Sequence, residues 1–394
     1  GFRKHGNISY ILITFLAVPL IFTMSRAAFL AIIICLIILF HKRIRGWRQW
    51  AILIAAAIIS AVCLYFLKTG SADGRGIINY IGIHCFLDNP LWGNGIGSFF
   101  NRYALKTAEI CATNSDINLT SVDVIDYAFN DLLLVGVEQG GVGLAFAIVL
   151  IGFVLHRLWV ICRPLFLVAL SLLIISLFSY PFELLPYQII GVIIVSYAAT
   201  NQITSKSKKE YSLCYAIINN VVVLIFIFFI SFLCKNIVRE RLDAEKEYRL
   251  LAGLHDRTFT KDYYSLLNYL DDNKHFLFDF AKILSEQGRY NDSNDMLRRG
   301  ALISNDPMFL VLQGNNYRDM EAYELAEEAY LQAWHIMPNR IYPLYKLMKL
   351  QEKMDNIDAA KSYAKKIINF KEKIPSPAVN DIKKEAKALY QNEL

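Results

Sequence analysis

Charge is scarce in this chain. Of 394 residues, 19% are Asp, Glu, Lys or Arg, against 55% hydrophobic residues and a mean hydropathy of +0.34. That balance excludes an ordinary soluble domain and a disordered chain, both of which need more charge. The seven cysteines are scattered, no two at metal-binding spacing, and the seven histidines are unclustered; a metalloenzyme is therefore not favoured. A Gly-rich phosphate loop followed by Lys and Ser or Thr is missing too, which disfavours a nucleotide-driven pump. No cleavable secretory signal is recognisable, and the abrupt start at Gly1-Phe2-Arg3 leads us to expect a further N-terminal portion ahead of it.

What the chain has instead is a membrane part fused to a soluble part. The first 234 residues hold 16 Lys and Arg against 10 Asp and Glu, and the last 160 hold 25 of each. The net charge of +6 thus belongs to the apolar half, where it is a topology signal and implies no nucleic-acid partner. Apolar runs near 8–24, 27–40, 50–67, 131–155, 164–178, 186–200 and 211–234 are candidate spans of about 30 Å of hydrocarbon. The runs split by Ser25-Arg26 and by Tyr180-Pro181 are short. A single helix over 8–40 would put Arg26 at the bilayer centre at a cost of at least about 3 kcal/mol, so a hairpin is preferred. Lys42, Arg43, Arg45, Arg48, Arg157, Arg163, Lys206, Lys208 and Lys209 fall in alternate short loops, with Arg3 and Lys4 on the same side. Assigned to the cytoplasm, these are 11 of the 16 basic residues, and the tail from Lys235 onward is then outside.

The expected fold is all-α: a polytopic membrane domain over 1–234, with about seven helices and a large periplasmic loop near 68–130, then a periplasmic helical domain over 235–394. In that tail Gln287-Gly288-Arg289-Tyr290, Glu321-Ala322-Tyr323 and Asp355-Asn356-Ile357 recur at offsets of 33 and 34 residues. Each precedes a small residue (Ser293, Ala326, Ala360), and Pro307 and Pro338 close two units. The pattern resembles the tetratricopeptide repeat, a helix pair that stacks into a solenoid and binds peptides. The stretch 374–394 reads as a capping helix. Cys85 and Cys111 share the outer loop, where an oxidising compartment would permit a disulfide.

Three stretches flank the outer surface in this topology. They are Ser25-Arg26-Ala27-Ala28, the segment from Arg75 through Asn89-Pro90-Leu91-Trp92-Gly93-Asn94-Gly95-Ile96-Gly97-Ser98-Phe99, and Asn130-Asp131 through Glu138-Gln139-Gly140-Gly141-Val142-Gly143. Each has an ordinary structural reading: a tight turn at Gly93, Gly95 and Gly97, an interfacial anchor at Arg26, a neutralised acid at Glu138. Together and in this order they resemble the O-antigen ligase and polymerase superfamily, which includes the pilin-type oligosaccharyltransferases. The resemblance covers about residues 20–200.

It implies transfer of a glycan from an undecaprenyl diphosphate carrier, in the bilayer of the bacterial inner membrane, to an acceptor lipid, glycan or protein on the periplasmic face, with no cofactor or metal. Arg26 and Arg75 are the natural holders of the diphosphate, since guanidinium groups offer paired donors to phosphate oxygens. Gly93, Gly95, Gly97 and Asn130 would let backbone approach the donor. Many ligases of this family place a His, the proposed general base, directly before the Asn equivalent to Asn130; here the position is Phe129, which cannot take a proton. His84, Asp126, Asp131 and Glu138 are the substitute candidates for base or orienting roles. Two other classes stay open: a non-catalytic scaffold of a glycan assembly complex, its tail recruiting partners, and a transporter. Against the latter, the spans show no matched broken pair and few intramembrane charges.

The topology is checked by a cysteine at position 205. Ser205→Cys is expected to stay unlabelled by an impermeant thiol reagent in intact cells, and labelling would reverse the orientation.

Overall fold

A computed structural model describes residues 25–40, 46, 69–113, 124–200, 238–253, 260–372 and 376–391, with isolated positions 15, 18 and 22; every regular element among them is helical. The runs at 8–24, 50–67 and 211–234 and the basic clusters around 42–48 and 206–209 lie outside the described residues. Contacts within the chain define two units, one of Gly1–Phe99 with Ile125–Ile203, the other of Phe100–Val124 with Thr204–Leu394.

In the first unit α1 (Arg26–Phe40) starts behind Ser25, whose Oγ accepts from the Ala28 amide at 3.4 Å and whose carbonyl accepts from Phe29 at 3.1 Å. A serine in that role satisfies amides that a helix start leaves orphaned, so Arg26 stands at a helix end and not in mid-helix. Then follow α2 (Thr69–Asp88) and, after the excursion of the chain into the second unit, α4 (Asp131–Ile161), α5 (Arg163–Ser176), a 3-10 turn (Pro181–Glu183) and α6 (Leu185–Thr200). Among the described residues only α4, 31 residues with an interruption at Gly140, is long and apolar enough to span. The helices α1, α5 and α6 have 15, 14 and 16 residues, the short lengths expected from the breaks at Ser25-Arg26 and Tyr180-Pro181. The α4–α5 break falls at Cys162, extended at φ −150°, with a proline in the first turn of α5. Val154, Leu158, Leu172, Ile194 and Ala198 form the core that α4, α5 and α6 share.

The stretch near 68–130 is largely helical. α2 packs along α4, Gly82 against the Leu133 side chain and Gly136 against Phe86. α3 (Phe99–Thr113) falls from Phe100 onward in the second unit, where the Asn101 amide donates to the Ala301 carbonyl at 2.8 Å. Cys85 and Cys111 are not joined by a disulfide in this structure. Burial raises the Cys111 thiol to about 11, which holds it neutral and unreactive.

The rest of the second unit is a run of helix pairs: a helix over 238–253 (α7), α8 (Thr260–Leu270), α9 (Lys274–Glu286), α10 (Tyr290–Ile303), α11 (Met308–Asp319), α12 (Tyr323–Ile336), α13 (Tyr342–Lys353), α14 (Ile357–Ile368) and α15 (Pro377–Gln391). The turns inside three pairs each place one residue in the left-handed region, Gly288 at φ +76°, Glu321 at +61° and Asp355 at +57°. Their spacing repeats the 33 and 34 residues of the sequence pattern. The small residues that follow, Ser293, Ala326 and Ala360, are fully buried, as close helix packing requires. Asn316 is fully buried as well. Its Nδ2 donates to Ser293 Oγ (2.9 Å) and Asn294 Oδ1 (2.7 Å), and its Oδ1 accepts from Ser285 at 2.5 Å. α15 covers the last pair with Ala386 buried beneath it, the expected cap.

Asn316→Ala removes three hydrogen bonds at once and leaves the buried Asn294 Oδ1 without this donor, while Ser293 keeps the Ala281 carbonyl. It is expected to cost about 2–4 kcal/mol, read as a matching loss of amide-exchange protection across α9–α12 in the full chain.

Candidate active site

α4 is a broken helix. At Gly140 the backbone leaves the helical region, with φ +69° and ψ −169°. The Gly-rich segment after α2 enters the gap. The amides of Asn94 and Gly95 donate to the carbonyls of Val137 and Glu138, both at 2.9 Å; the amides of Gly141 and Val142 donate to the carbonyls of Pro90 (2.7 Å) and Leu91 (3.3 Å). An unbroken helix would have joined Gly141 to Val137 and Val142 to Glu138. The loop thus takes over both halves of the interrupted turn, leaving these groups paired.

This exchange requires two glycines. A Cβ on Gly140 would stand 2.2 Å from the Leu91 carbonyl oxygen, and one on Gly93 (φ +74°) would stand 2.4 Å from the Glu138 carbonyl oxygen. Backbone meets backbone there, so no side chain can yield. Gly93 therefore approaches α4 and not open space, whereas added Cβ atoms on Gly95 and Gly97 would meet nothing and these two serve the turn through φ values of +98° and +78°. Asn94 ties the loop down further: its Nδ2 donates to the carbonyls of Val137 (3.0 Å) and Cys85 (3.2 Å), and its Oδ1 accepts from Asn89 at 2.8 Å.

The flanking acids and caps are used in the same assembly. Glu138 Oε1 accepts from the Phe99 amide at 3.4 Å, and the Gly97 amide also faces this carboxylate, so Glu138 holds the loop where it turns into α3. Asn130 is the N-cap of α4, its Oδ1 accepting from Leu133 at 3.1 Å. Asp131, buried in the first turn, accepts from the Phe182 amide at 3.4 Å and anchors the 3-10 turn. These three side chains all take part in fixing the geometry.

Above the start of α4 lies a cation surrounded by aromatic rings. Arg75 Nη1 donates to the Phe178 carbonyl at 2.9 Å, and its guanidinium lies over the Phe129 ring, 5.2 Å from the centroid. Phe129 meets Tyr180 edge-on at 5.2 Å, and Tyr180 stacks flat on Tyr127, centroids 3.7 Å apart and planes 2° apart. Burial foremost, then the neighbouring charge of Arg26, lower the pKa of Arg75, while Tyr180 acts in the opposite sense. A guanidinium remains a cation at neutral pH regardless. The fold has thus brought Arg26 of α1 near enough to Arg75 of α2 for their charges to act on each other.

The other sequence candidates lie apart from that pair. His84 is nine residues beyond Arg75 on α2, about 13 Å along the axis and half a turn around it, and packs edge-on against Tyr80 at 4.7 Å. Asp126 is exposed one residue before Tyr127. Tyr127, Tyr180 and the carbonyl of Phe178 are site groups that sequence reading missed; the clue to two of them was the interruption at Tyr180-Pro181, where a span breaks beside the outer surface. A cavity of about 620 Å³ bounded by α4, α5, α6 and the 3-10 turn opens beside Asp131. Its described lining includes Asp131 and Glu183 but no Lys or Arg, which suits an apolar chain and not a diphosphate.

The site is a long apolar helix broken at a Gly-rich loop, with Arg75 held over Phe129 beside it and the charge of Arg26 near enough to act on Arg75. Residues 11–148, which hold Arg26, Arg75, the Gly-rich loop and the break in α4, match the family model of the O-antigen ligases, and this stretch belongs to that superfamily of membrane proteins. The match supports an O-antigen ligase-like glycan transferase in general terms. No curated protein matches the chain.

Gly140→Ala is expected to cost more than about 4 kcal/mol, because the added methyl can be placed only by parting two backbones. Gly95→Ala, strained in φ alone, is expected to cost about 1–2 kcal/mol. Thermal melts of the two detergent-purified variants check the contrast.

Proposed function

We propose that this protein transfers a glycan from an undecaprenyl diphosphate carrier to a hydroxyl of a lipid A core, a growing polymer or a protein, on the periplasmic face of the inner membrane. The observation that carries the reading is the coupled pair Arg26 and Arg75, two cations from different helices held at one site with an aromatic wall. In the transfer the acceptor oxygen bonds to the anomeric carbon as the bond to the diphosphate breaks, and negative charge grows on the departing group. Fixed guanidinium donors in a partly dry site favour that charge more than they favour the intact donor, which is the condition for catalysis. Periplasmic placement rests on the distribution of Lys and Arg among the short loops. The tail of helix pairs is suited to hold an acceptor or a peptide partner, as concave helical arrays do.

A second reading is favoured by one residue. Phe129 cannot accept the proton that the acceptor hydroxyl must lose, so a non-catalytic scaffold of glycan assembly fits that position. Phe129 has φ +54°, a conformation in which His is enriched several-fold among non-glycine residues, so the backbone accepts the exchange. Phe129→His that acquires transfer absent from the native chain would identify a lapsed enzyme.

The test of the first reading is the carrier-linked glycan pool in native cells. Arg26→Ala and Arg75→Ala, at native expression, are expected to accumulate it at least about tenfold. Arg75→Lys is expected not to rescue, because an ammonium cannot bridge the Phe178 carbonyl and phosphate oxygens in one planar fork. An unchanged pool in all three would discard the donor role.

A further inference from the structure

We propose that the cavity beside Asp131 binds a membrane phospholipid whose head ends in a primary ammonium group, with an acyl chain in the cavity and the ammonium at Asp131 and Glu183. The inference is independent of the reading of Arg26 and Arg75 as holders of the diphosphate. At about 620 Å³ the cavity has the size of a ligand site. Its walls on α4, α5 and α6 are apolar, with Val154, Leu172 and Val195 among them. Ser196 apart, the polar lining side chains gather at one end: Asp131 in the first turn of α4, Ser176 in the last turn of α5, Glu183 in the 3-10 turn and Gln188 in the first turn of α6.

That end is held in place from both sides. The Phe182 amide donates to Asp131 Oδ2 at 3.4 Å, and Gln188 Nε2 donates to the Phe182 carbonyl at 2.7 Å. Gly191 leaves room for the Phe182 ring, which an added Cβ would meet at 3.2 Å. Asp131 is only 9% exposed, yet its other carboxylate oxygen, Oδ1, takes no hydrogen bond from the described residues, and the residue lines the cavity. A carboxylate oxygen so withdrawn from water calls for a donor, and the cavity is the space from which one arrives. Glu183 makes no ion pair with a described residue, and it is near enough for its charge to act on Asp131.

Two carboxylates at one end of an apolar cavity, with no Lys or Arg in its described lining, narrow the occupant. The walls take a hydrocarbon chain. The carboxylates take hydrogen-bond donors, and charged donors make the stronger bonds. A fatty acid brings a further negative charge to this end and is disfavoured. A neutral hydroxyl satisfies an oxygen but leaves the two like charges facing each other, whereas an ammonium answers both. A quaternary ammonium has no N–H to give, which leaves a primary one. Hydrocarbon chain and primary ammonium together describe an aminophospholipid of the bilayer.

The full chain in phosphatidylcholine nanodiscs is titrated with phosphatidylethanolamine and with phosphatidylglycerol of the same acyl chains, and the retained lipids are counted by native mass spectrometry. The native chain is expected to retain phosphatidylethanolamine about tenfold over the other two. Asp131→Asn combined with Glu183→Gln keeps the shapes, removes both charges and leaves an oxygen for the Phe182 amide; it is expected to lose the preference with little change in melting temperature. Should the melting temperature fall, Glu183→Gln alone, on an exposed side chain, is read instead, and is expected to lose at least about threefold. Val192→Trp, which narrows the cavity, is expected to lose phosphatidylethanolamine with both acids intact. Equal retention of the three lipids by the native chain, or an undiminished preference in the acid variants or in Val192→Trp, would overturn the site. Phosphatidylglycerol retained as well as phosphatidylethanolamine would identify a hydroxyl as the donor and overturn the ammonium.

Discussion

The exchange of backbone hydrogen bonds at Gly140 is the constraint on which the site depends. A helix that breaks beside a membrane must find new partners for the amides and carbonyls that the break releases, since water is scarce there and each unpaired group is costly. Here the partners come from one loop, through Asn94, Gly95, Pro90 and Leu91. The arrangement closes only if Gly93 and Gly140 both lack a side chain. Two glycine-containing motifs that are distant in the sequence are therefore the two halves of one joint.

What the joint fixes follows outward from it. The loop cannot shift without parting from α4, so Asn94 and Asn89 hold the C-terminal end of α2. The face of α2 that carries Gly82 and Phe86 is then fixed along α4, and Arg75, farther up the same face, is delivered over Phe129. Glu138, two residues before the break, uses its carboxylate on the Gly97 and Phe99 amides, so this acid serves the architecture of the joint.

The features legible in the sequence are those with a local cause. Ser25 and Asn130 stand at helix starts, where a short polar side chain can reach the next amides, and both cap; for Asn130 that is a role other than the approach to the donor expected of it. The repeat in the tail is legible because Gly288, Glu321 and Asp355 each mark a turn that must pass through the left-handed region before a small buried residue. Arg26 and Arg75 could be singled out as cations at an apolar surface. Their convergence could not be read, because it depends on the packing of α2 along α4. The stack of Tyr127 on Tyr180 joins residues from opposite ends of α4 and α5, and nothing local in either stretch announces it. The same holds for α3, whose place in the second unit rests on contacts such as that of Asn101 with Ala301, 200 residues away.

Phe129 is explained by what surrounds it. A bulky residue at φ +54° carries about 1–3 kcal/mol of strain, which persists only where the surroundings over-determine it. Those surroundings are visible: the Asn130 cap behind it, Tyr180 at its edge and the Arg75 guanidinium over its face. A ring under a guanidinium contributes about 0.5–2 kcal/mol, comparable with the strain, so phenylalanine can occupy the position as a support for the cation. An imidazole there would serve the acceptor; a phenyl ring serves the arginine. If the proposed transfer holds, the proton of the acceptor must leave by a route that does not pass through position 129.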